Sequence, residues 1–191
     1  MNKKIVMAAL VALAPLAAPA AELSYTYVEA GYSHADVSGL NLHGFALKGS
    51  ADFGRGFYGA FGGHQDSYDS DNKLAPAEIT LGYHKAIGGN TDFVGEASYV
   101  GVNSTVLGTD YHNDGYRVAA GVRSAVGDKV ELGAKLTYTG VENMDQAVGV
   151  TLSGQFKFNA TWGLVAEYRY KELNFLGDDG DSYQVGVRAS F

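Results

Sequence analysis

Cysteine is absent from this chain of 191 residues, and proline occurs only 3 times. The lack of cysteine excludes disulfides and thiolate metal sites. Basic residues are also scarce, because 14 lysines and arginines stand against 21 aspartates and glutamates, so no nucleic acid partner is expected. Beyond Ala20 no apolar run approaches the roughly 20 residues that a membrane helix needs. If this part of the chain spans a membrane, it must do so as a closed β-barrel, because lipid offers backbone groups no hydrogen-bond partners.

The first residues have the pattern of a secretory signal peptide. Lys3 and Lys4 precede an apolar run over residues 5–16, and Ala18-Pro19-Ala20 supplies small residues at a cleavage site. The apolar run is too short for a spanning helix. We therefore expect a cleaved signal peptide at 1–20, export from the cytoplasm and a mature β-barrel domain at 21–191.

Glycine is abundant, with 26 residues, and it separates segments in which apolar and polar residues alternate. Alternation with a period of two is typical of strands that have one apolar and one polar face. The pattern predicts an all-β fold, an up-and-down antiparallel transmembrane β-barrel of ten strands. An eight-stranded barrel is the alternative if the two weakest segments, 40–51 and 76–86, are not strands. The ten segments lie near 23–34, 40–51, 56–66, 76–86, 92–103, 114–126, 129–141, 147–158, 161–172 and 182–191.

The connections between these segments alternate in length. Short turns are expected at 52–55, 88–91, 127–128 and 159–160, and longer, mostly acidic loops at 35–39, 67–75, 104–113, 142–146 and 173–181. Short turns at one rim and longer loops at the other are typical of outer-membrane barrels, in which the turns face the periplasm. We refer to these rims below as the turn side and the loop side.

Charged residues within the segments share one parity, so they fall on one face of the sheet. A basic side chain turned to lipid at the bilayer midplane costs roughly 2–4 kcal/mol, which favours an inward orientation. His84 and Lys171 are expected on the same inward face. The predicted charged network of the lumen comprises Glu29, Lys48, Glu78, Glu96, Arg117, Arg123, Glu131, Lys135, Lys157, Glu167, Arg169 and Arg188.

Aromatic residues fall near the two ends of the predicted strands, as expected of the girdles that anchor a barrel at the membrane interfaces. Tyr25 and Tyr27 do not fit, because the parity that turns Glu29 inward turns them inward too. The predicted loop-side girdle is Tyr32, Tyr99, Tyr116, Tyr138, Tyr170 and Tyr183. The predicted turn-side girdle is Phe57, Tyr83, Phe93, Phe156, Trp162 and Phe191.

The last segment, 182–191, alternates most regularly and ends on an aromatic residue. Its apolar row is Tyr183, Val185, Val187, Ala189 and Phe191. This ending resembles the closing strand of bacterial outer-membrane barrels. The resemblance implies that Phe191 is an assembly signal read by the barrel assembly machinery.

Several stretches resemble the small outer-membrane Ax family of xanthomonads, once proposed as activators of the rice XA immune receptor. The most specific is Ala-Glu-Leu-Ser-Tyr-Thr-Tyr-Val-Glu-Ala-Gly-Tyr at 21–32, and others lie at 44–50, 57–61, 115–118 and 121–123. The resemblance covers the whole mature chain. It implies a small, diffusible-signal-regulated outer-membrane barrel, shed in vesicles and linked to cell–cell signalling, motility and biofilm.

Two interpretations of the inward charges remain open. They form either a salt-bridged plug that stiffens a structural barrel or the lining of a narrow channel for ions or small solutes. The acidic loops provide oxygen ligands for divalent cations, which would also bridge the phosphates of lipopolysaccharide, although solvated turn residues explain them more simply. These loop acids are Asp66, Asp69, Asp71, Asp110, Asp114, Asp178, Asp179 and Asp181.

A surface hydrolase is the third alternative. Asp69-Ser-Asp71 and Asp110-Tyr-His112 resemble the Asp-x-Asp and Asp-x-His pairs of the omptin proteases, in which a carboxylate orients a histidine. The loops are too short for the omptin cleft, so we expect no enzymatic activity, no catalytic residues, no cofactor and no built metal site. The sequence therefore predicts an outer-membrane barrel with a structural or surface-interaction role, in contact with lipid and lipopolysaccharide.

Overall fold

The computed structural model describes residues 23–37, 40–67, 73–106, 108–175 and 178–191. Within these ranges the chain forms ten β-strands, and none of these residues is helical. The strands are β1 (Tyr27–Val37), β2 (Leu40–Gly54), β3 (Phe57–Ser67), β4 (Lys73–Gly88), β5 (Thr91–Val106), β6 (Thr109–Val126), β7 (Val130–Val141), β8 (Ala147–Lys157), β9 (Trp162–Phe175) and β10 (Asp178–Ser190).

The strands form a closed antiparallel barrel. Each strand pairs with the next along the chain, and β10 pairs with β1. At this closure Glu29 lies opposite both Arg188 of β10 and Lys48 of β2. The predicted ten-stranded, up-and-down topology is confirmed, so the eight-stranded alternative is wrong.

Alternation along each strand separates the two faces of the barrel wall. Outward side chains are apolar and exposed, such as Phe45 at 79 %, Ile79 at 70 % and Val148 at 66 %. Inward side chains include carboxylates that are almost fully buried, such as Glu29 at 2 % and Glu131 at 3 %. The barrel is therefore apolar outside and ionised inside, the reverse of a soluble protein.

The turn-side hairpins are tight, as predicted. Between β2 and β3 the backbone passes through Gly54, Arg55 and Gly56 with positive φ angles of 84°, 58° and 82°. Glycine adopts these angles without steric cost, which explains two glycines around one arginine. Gly127 has the same role between β6 and β7, with φ of 69°.

On the loop side the strands run further than predicted. The segments predicted as loops at 35–39, 104–113 and 173–181 are mainly strand, and β6 alone has 18 residues. With a rise of about 3.3 Å per residue and a tilt near 40°, β6 is about 45 Å tall, more than the roughly 25 Å apolar band. Outside lipid a strand needs only backbone pairing and no apolar face, so the sequence alternation stops before the strand does.

The N-terminal boundary also differs from the prediction. β1 begins at Tyr27 rather than near residue 23, because the chain before Thr26 leaves the barrel wall and Tyr25 packs inside the bore, with Leu23 against the same cluster. The predicted signal peptide at 1–20 lies outside the described residues. A search of the described residues found no helix with the length and hydropathy required to span a membrane.

Candidate functional site

The ion pairs in the bore begin at Glu29. Its Oε2 atom accepts hydrogen bonds from Arg188 Nε at 3.0 Å and Nη2 at 2.8 Å, and its Oε1 atom accepts one from Gln184 at 2.8 Å. Lys48 Nζ lies 4.0 Å from the same Oε1 atom. The carboxylate thus joins strands β1, β2 and β10 around the closure of the barrel.

Lys48 continues this network across the bore. Its Nζ atom donates to Glu167 at 2.8 Å, and Glu167 also accepts from Arg169 Nε at 2.6 Å. Arg169 in turn lies 3.5 Å from Glu78, which accepts from Arg117 at 2.7 Å. Cations and carboxylates therefore alternate from Arg188 to Arg117 without interruption.

Two smaller groups complete the ionised layer. Glu131 lies between Arg123 and Lys157, each with a nitrogen 2.5 Å from a carboxylate oxygen. Glu96 accepts from Lys135 at 2.7 Å and from the hydroxyl of Tyr58 at 2.7 Å. With these groups, the structure places all twelve residues of the predicted lumen network in ion pairs inside the barrel.

The network leaves little open space in the bore. A cavity of about 130 Å³ remains near its centre, lined by Lys48, Glu96, Lys135, Glu167 and Arg169 among others. Removing ions from water costs several kcal/mol each unless the partners compensate. The pairing therefore makes a dense ionised filling tolerable in a narrow barrel.

An apolar cluster closes the bore on the loop side. Val100 and Val102 occupy inward positions of β5, and their side chains are exposed by only 1 % and 0 %. They have the same parity as Glu96, so a continued reading of the inward face would have identified them. The loop-side apolar cluster consists of Ala35, Leu42, Leu74, Val100, Val102 and Val141, with Met144 packed against it.

The N-terminal segment closes the turn side. The Tyr25 ring stacks on His84 with centroids 3.8 Å apart, and its hydroxyl donates to Asp92 at 3.0 Å. The Arg123 guanidinium lies 4.8 Å from the centre of the same ring and donates to the carbonyl of Ser24 at 2.8 Å. Burial raises the pKa of Tyr25, which keeps its hydroxyl protonated as a donor. The sequence left open whether a bulge or an inward orientation explains the parity of Tyr25, and it did not indicate that Tyr25 caps the bore.

One predicted loop acid lies inside the barrel. Asp66 is fully buried in β3, where it accepts hydrogen bonds from the hydroxyl of Ser33 and from His64 Nδ1, the latter at 2.5 Å. The placement of Asp66 among the solvated loop acids is therefore wrong. Its parity, shared with Tyr58 and Gly62, turns it inward.

The other acidic positions do not form a described cation site. Asp110 accepts from Thr105 at 2.8 Å, and Asp114 lies 3.2 Å from the exposed imidazole of His112. Asp181 accepts from the hydroxyl of Tyr168 at 2.9 Å. Among the described residues no group of three or more His, Cys, Asp and Glu side chains has the geometry for a metal ion.

The omptin-like pairs are not both described. Asp69 and Asp71 lie outside the described residues, whereas His112 Nδ1 lies 2.7 Å from the amide oxygen of Asn103. Asp178 and Asp179 fall within β10. That the chain is not an enzyme stays a prediction.

The aromatic residues predicted as girdles lie on outward positions of the strands. On the loop side Tyr116 packs against Tyr138 with ring centroids 6.0 Å apart, and on the turn side Phe57 packs against Tyr83 at 5.1 Å. Ten of the twelve are strongly exposed, and Tyr138 and Tyr170 are half-buried. Phe191 is 77 % exposed, and its N–H donates to the carbonyl of Thr26 at 2.9 Å, which joins the C-terminal residue to the segment before β1.

A closed antiparallel barrel with an apolar exterior and an ionised bore defines the class of transmembrane β-barrels. Among solved structures, the chain is similar to the KdgM porin, with 14% identity and a TM-score of 0.50 over 86% of this chain and 99% of that one. It is also similar to the NanC porin, with 14% identity and a TM-score of 0.46 over 87% of this chain and 100% of that one. A third is the N-terminal β-barrel domain of OprF from Pseudomonas aeruginosa, with 11% identity and a TM-score of 0.46 over 88% of this chain and 100% of that one. No family model and no curated protein matches the chain.

Proposed function

We propose that this protein spans the bacterial outer membrane as a closed barrel that does not conduct, with a structural and surface-interaction role. The observation that carries the proposal is the filled bore. The ion-pair network occupies its centre, the loop-side apolar cluster closes one end and the N-terminal segment closes the other. The two end closures, on either side of the ionised centre, support a bore without a continuous water path for an ion.

The location in the outer membrane is supported by the exterior and by the fold. Tyr183 of β10 and Phe191, which directly follows this strand, are eight residues apart, which corresponds to roughly 20 Å along the membrane normal. The aromatic side chains add to this height, so the two girdles match the apolar band. The KdgM porin shares this fold over most of both chains.

Conductance in planar lipid bilayers tests the proposal directly. The tag-free protein, refolded in detergent and verified by heat-modifiable gel migration, is expected to give no reproducible current steps at voltages up to the stability limit of the bilayer. A refolded general porin in the same bilayers serves as the positive control. Reproducible single-channel openings would exclude a closed bore.

A narrow channel is the second candidate, and the central cavity of about 130 Å³ supports it. Its lining is charged, with Lys48 and Lys135 facing Glu96 and Glu167, as expected of a path for small ions rather than for apolar solutes. Opening would require displacement of both end closures. If the barrel is such a channel, the planar-bilayer recordings should show current steps that depend on voltage and select between ions.

Surface contacts complete the proposal. The loop-side ends of β5 and β6 rise beyond the apolar band, where Asp110 and Asp114 would meet lipopolysaccharide through bound divalent cations. A role in signalling, motility or biofilm is supported by the sequence resemblance alone. Equal biofilm mass in a deletion strain, its parent strain and the complemented deletion strain would exclude the role in biofilm.

A further inference from the structure

Two histidines face each other on the outside of the barrel at the loop-side rim. His34 of β1 and His43 of β2 lie directly opposite in the antiparallel ladder, on the outward face that also bears Tyr32. We call His34 and His43 the rim histidine pair. His43 is exposed and His34 half-buried, and neither takes part in the ion pairs of the bore.

Three atoms that can bind a metal ion lie close together at this pair. His34 Nδ1 and His43 Nδ1 are 3.0 Å apart, and the hydroxyl oxygen of Tyr32 lies 2.7 Å from His43 Nδ1. The two imidazole rings are 4.7 Å apart with an angle of 41° between their planes. A hydrogen bond between two ring nitrogens at this distance requires that one of them be unprotonated, which is the form that binds a metal ion.

The spacing fits a metal ion bound by both imidazoles. With metal–nitrogen bonds of about 2.0–2.1 Å, two ligands of a tetrahedral site are about 3.3 Å apart, and two neighbouring ligands of a square-planar site about 2.9 Å. The observed 3.0 Å lies between these values. Chelation would require both nitrogens to be unprotonated and the two rings to turn so that their lone pairs meet at one ion.

The surrounding charge also favours a cation. Asp36 follows His34 on the same face of β1 and lies opposite Asp181 of β10 in the ladder. Asp181 is already engaged by the hydroxyl of Tyr168, whereas Asp36 is exposed. The described residues place no third His, Cys, Asp or Glu at metal distance, so the Tyr32 oxygen or water would complete the coordination.

We propose that the rim histidine pair binds a divalent transition metal, Cu²⁺ or Zn²⁺, on the loop-side rim of the barrel, which faces the cell exterior. Imidazole nitrogen selects these ions over Ca²⁺ and Mg²⁺, which take oxygen ligands. The bound ion links β1 to β2 beside the closure with β10. The site lies outside the bore, so this proposal does not depend on whether the barrel conducts ions.

Copper titration of the refolded, tag-free protein in detergent micelles at pH 7.5 tests the site, because most histidine is neutral at that pH. We expect one tightly bound Cu²⁺ per chain and an electron paramagnetic resonance spectrum with hyperfine splitting from two nitrogens. His34→Gln and His43→Gln should each weaken binding by more than about tenfold, since even indirect partners of a ligand contribute 10–100-fold to metal affinity.

His112→Gln is the matched control, because His112 is also exposed on the loop side but belongs to neither strand of the pair. It should bind copper as the unchanged protein does. Heat-modifiable migration must be retained in all three variants, which is expected because the substituted side chains lie outside the packed bore. Equal affinity in His34→Gln, His43→Gln and His112→Gln, or a spectrum with fewer than two nitrogens, would overturn the proposal.

Discussion

Glu29 shows how a single residue can hold several strands together. It is 2 % exposed and lies within 4.0 Å of basic groups from β2 and β10. The parity of the sequence was sufficient to place it in the bore. Its partners could not be predicted, because Arg188 and Gln184 are more than 150 residues away along the chain and meet it only through closure of the barrel.

Substitution Glu29→Gln should strongly destabilise the barrel. The substitution removes the negative charge that Arg188 and Lys48 face inside the bore. Removing one partner of a buried ion pair costs about 3–5 kcal/mol. The free energy of unfolding can be measured by urea titration in lipid vesicles, with the fluorescence of Trp162, the single tryptophan, as the signal.

Glu142→Gln is the control for this substitution, because Glu142 is an exposed acid in the β7–β8 connection. Its effect should be within about 0.5 kcal/mol, as for most surface substitutions. Equal free energies of unfolding for the two variants would show that the ionised layer contributes little to stability.

At the scale of the strand, the sequence predicted the number and pairing order but not all the ends. Alternation identifies a strand only where one face meets lipid and the other the bore, so the predicted strand stopped short of the loop-side end in β5, β6 and β10. The opposite error occurred in β1, where Leu23–Thr26 has the alternation of a strand but is not part of it, and Tyr25 packs inside the bore. Lys171, expected inward, has a positive φ of 55° and lies over the Tyr170 ring, because an irregularity in the β9–β10 ladder interrupts the alternation.

Deletion of Phe191 should affect assembly more than stability. The side chain is 77 % exposed and makes few packing contacts, so refolding in detergent should persist. If the last residue is read during assembly, the amount of protein in outer-membrane fractions should fall several-fold. Phe158→Ala, which removes another exposed turn-side aromatic, should leave that amount unchanged. Equal amounts for both variants would contradict the role of Phe191 as an assembly signal.

At the scale of the whole molecule, two closures in series predict a specific pattern of conductance. Tyr25→Ala should open the turn side and Val102→Ala should loosen the loop-side apolar cluster, but either variant alone should stay silent. The double variant should give small current steps in planar bilayers. Tyr111→Ala, which removes an exposed tyrosine outside both closures, is the control. Silence of the double variant would show that the ionised layer alone blocks the bore.

The separation of the network partners along the chain constrains the order of events during membrane entry. Lys48 and Glu167 are 119 residues apart, and Glu29 meets its strongest partner only on the last strand. Until that strand arrives, each half of the network would carry uncompensated charge into hydrocarbon, at several kcal/mol per ion. A partly inserted sheet is therefore a high-energy state. We accordingly expect the hairpins to cross the bilayer together, in a single concerted step, rather than one after another.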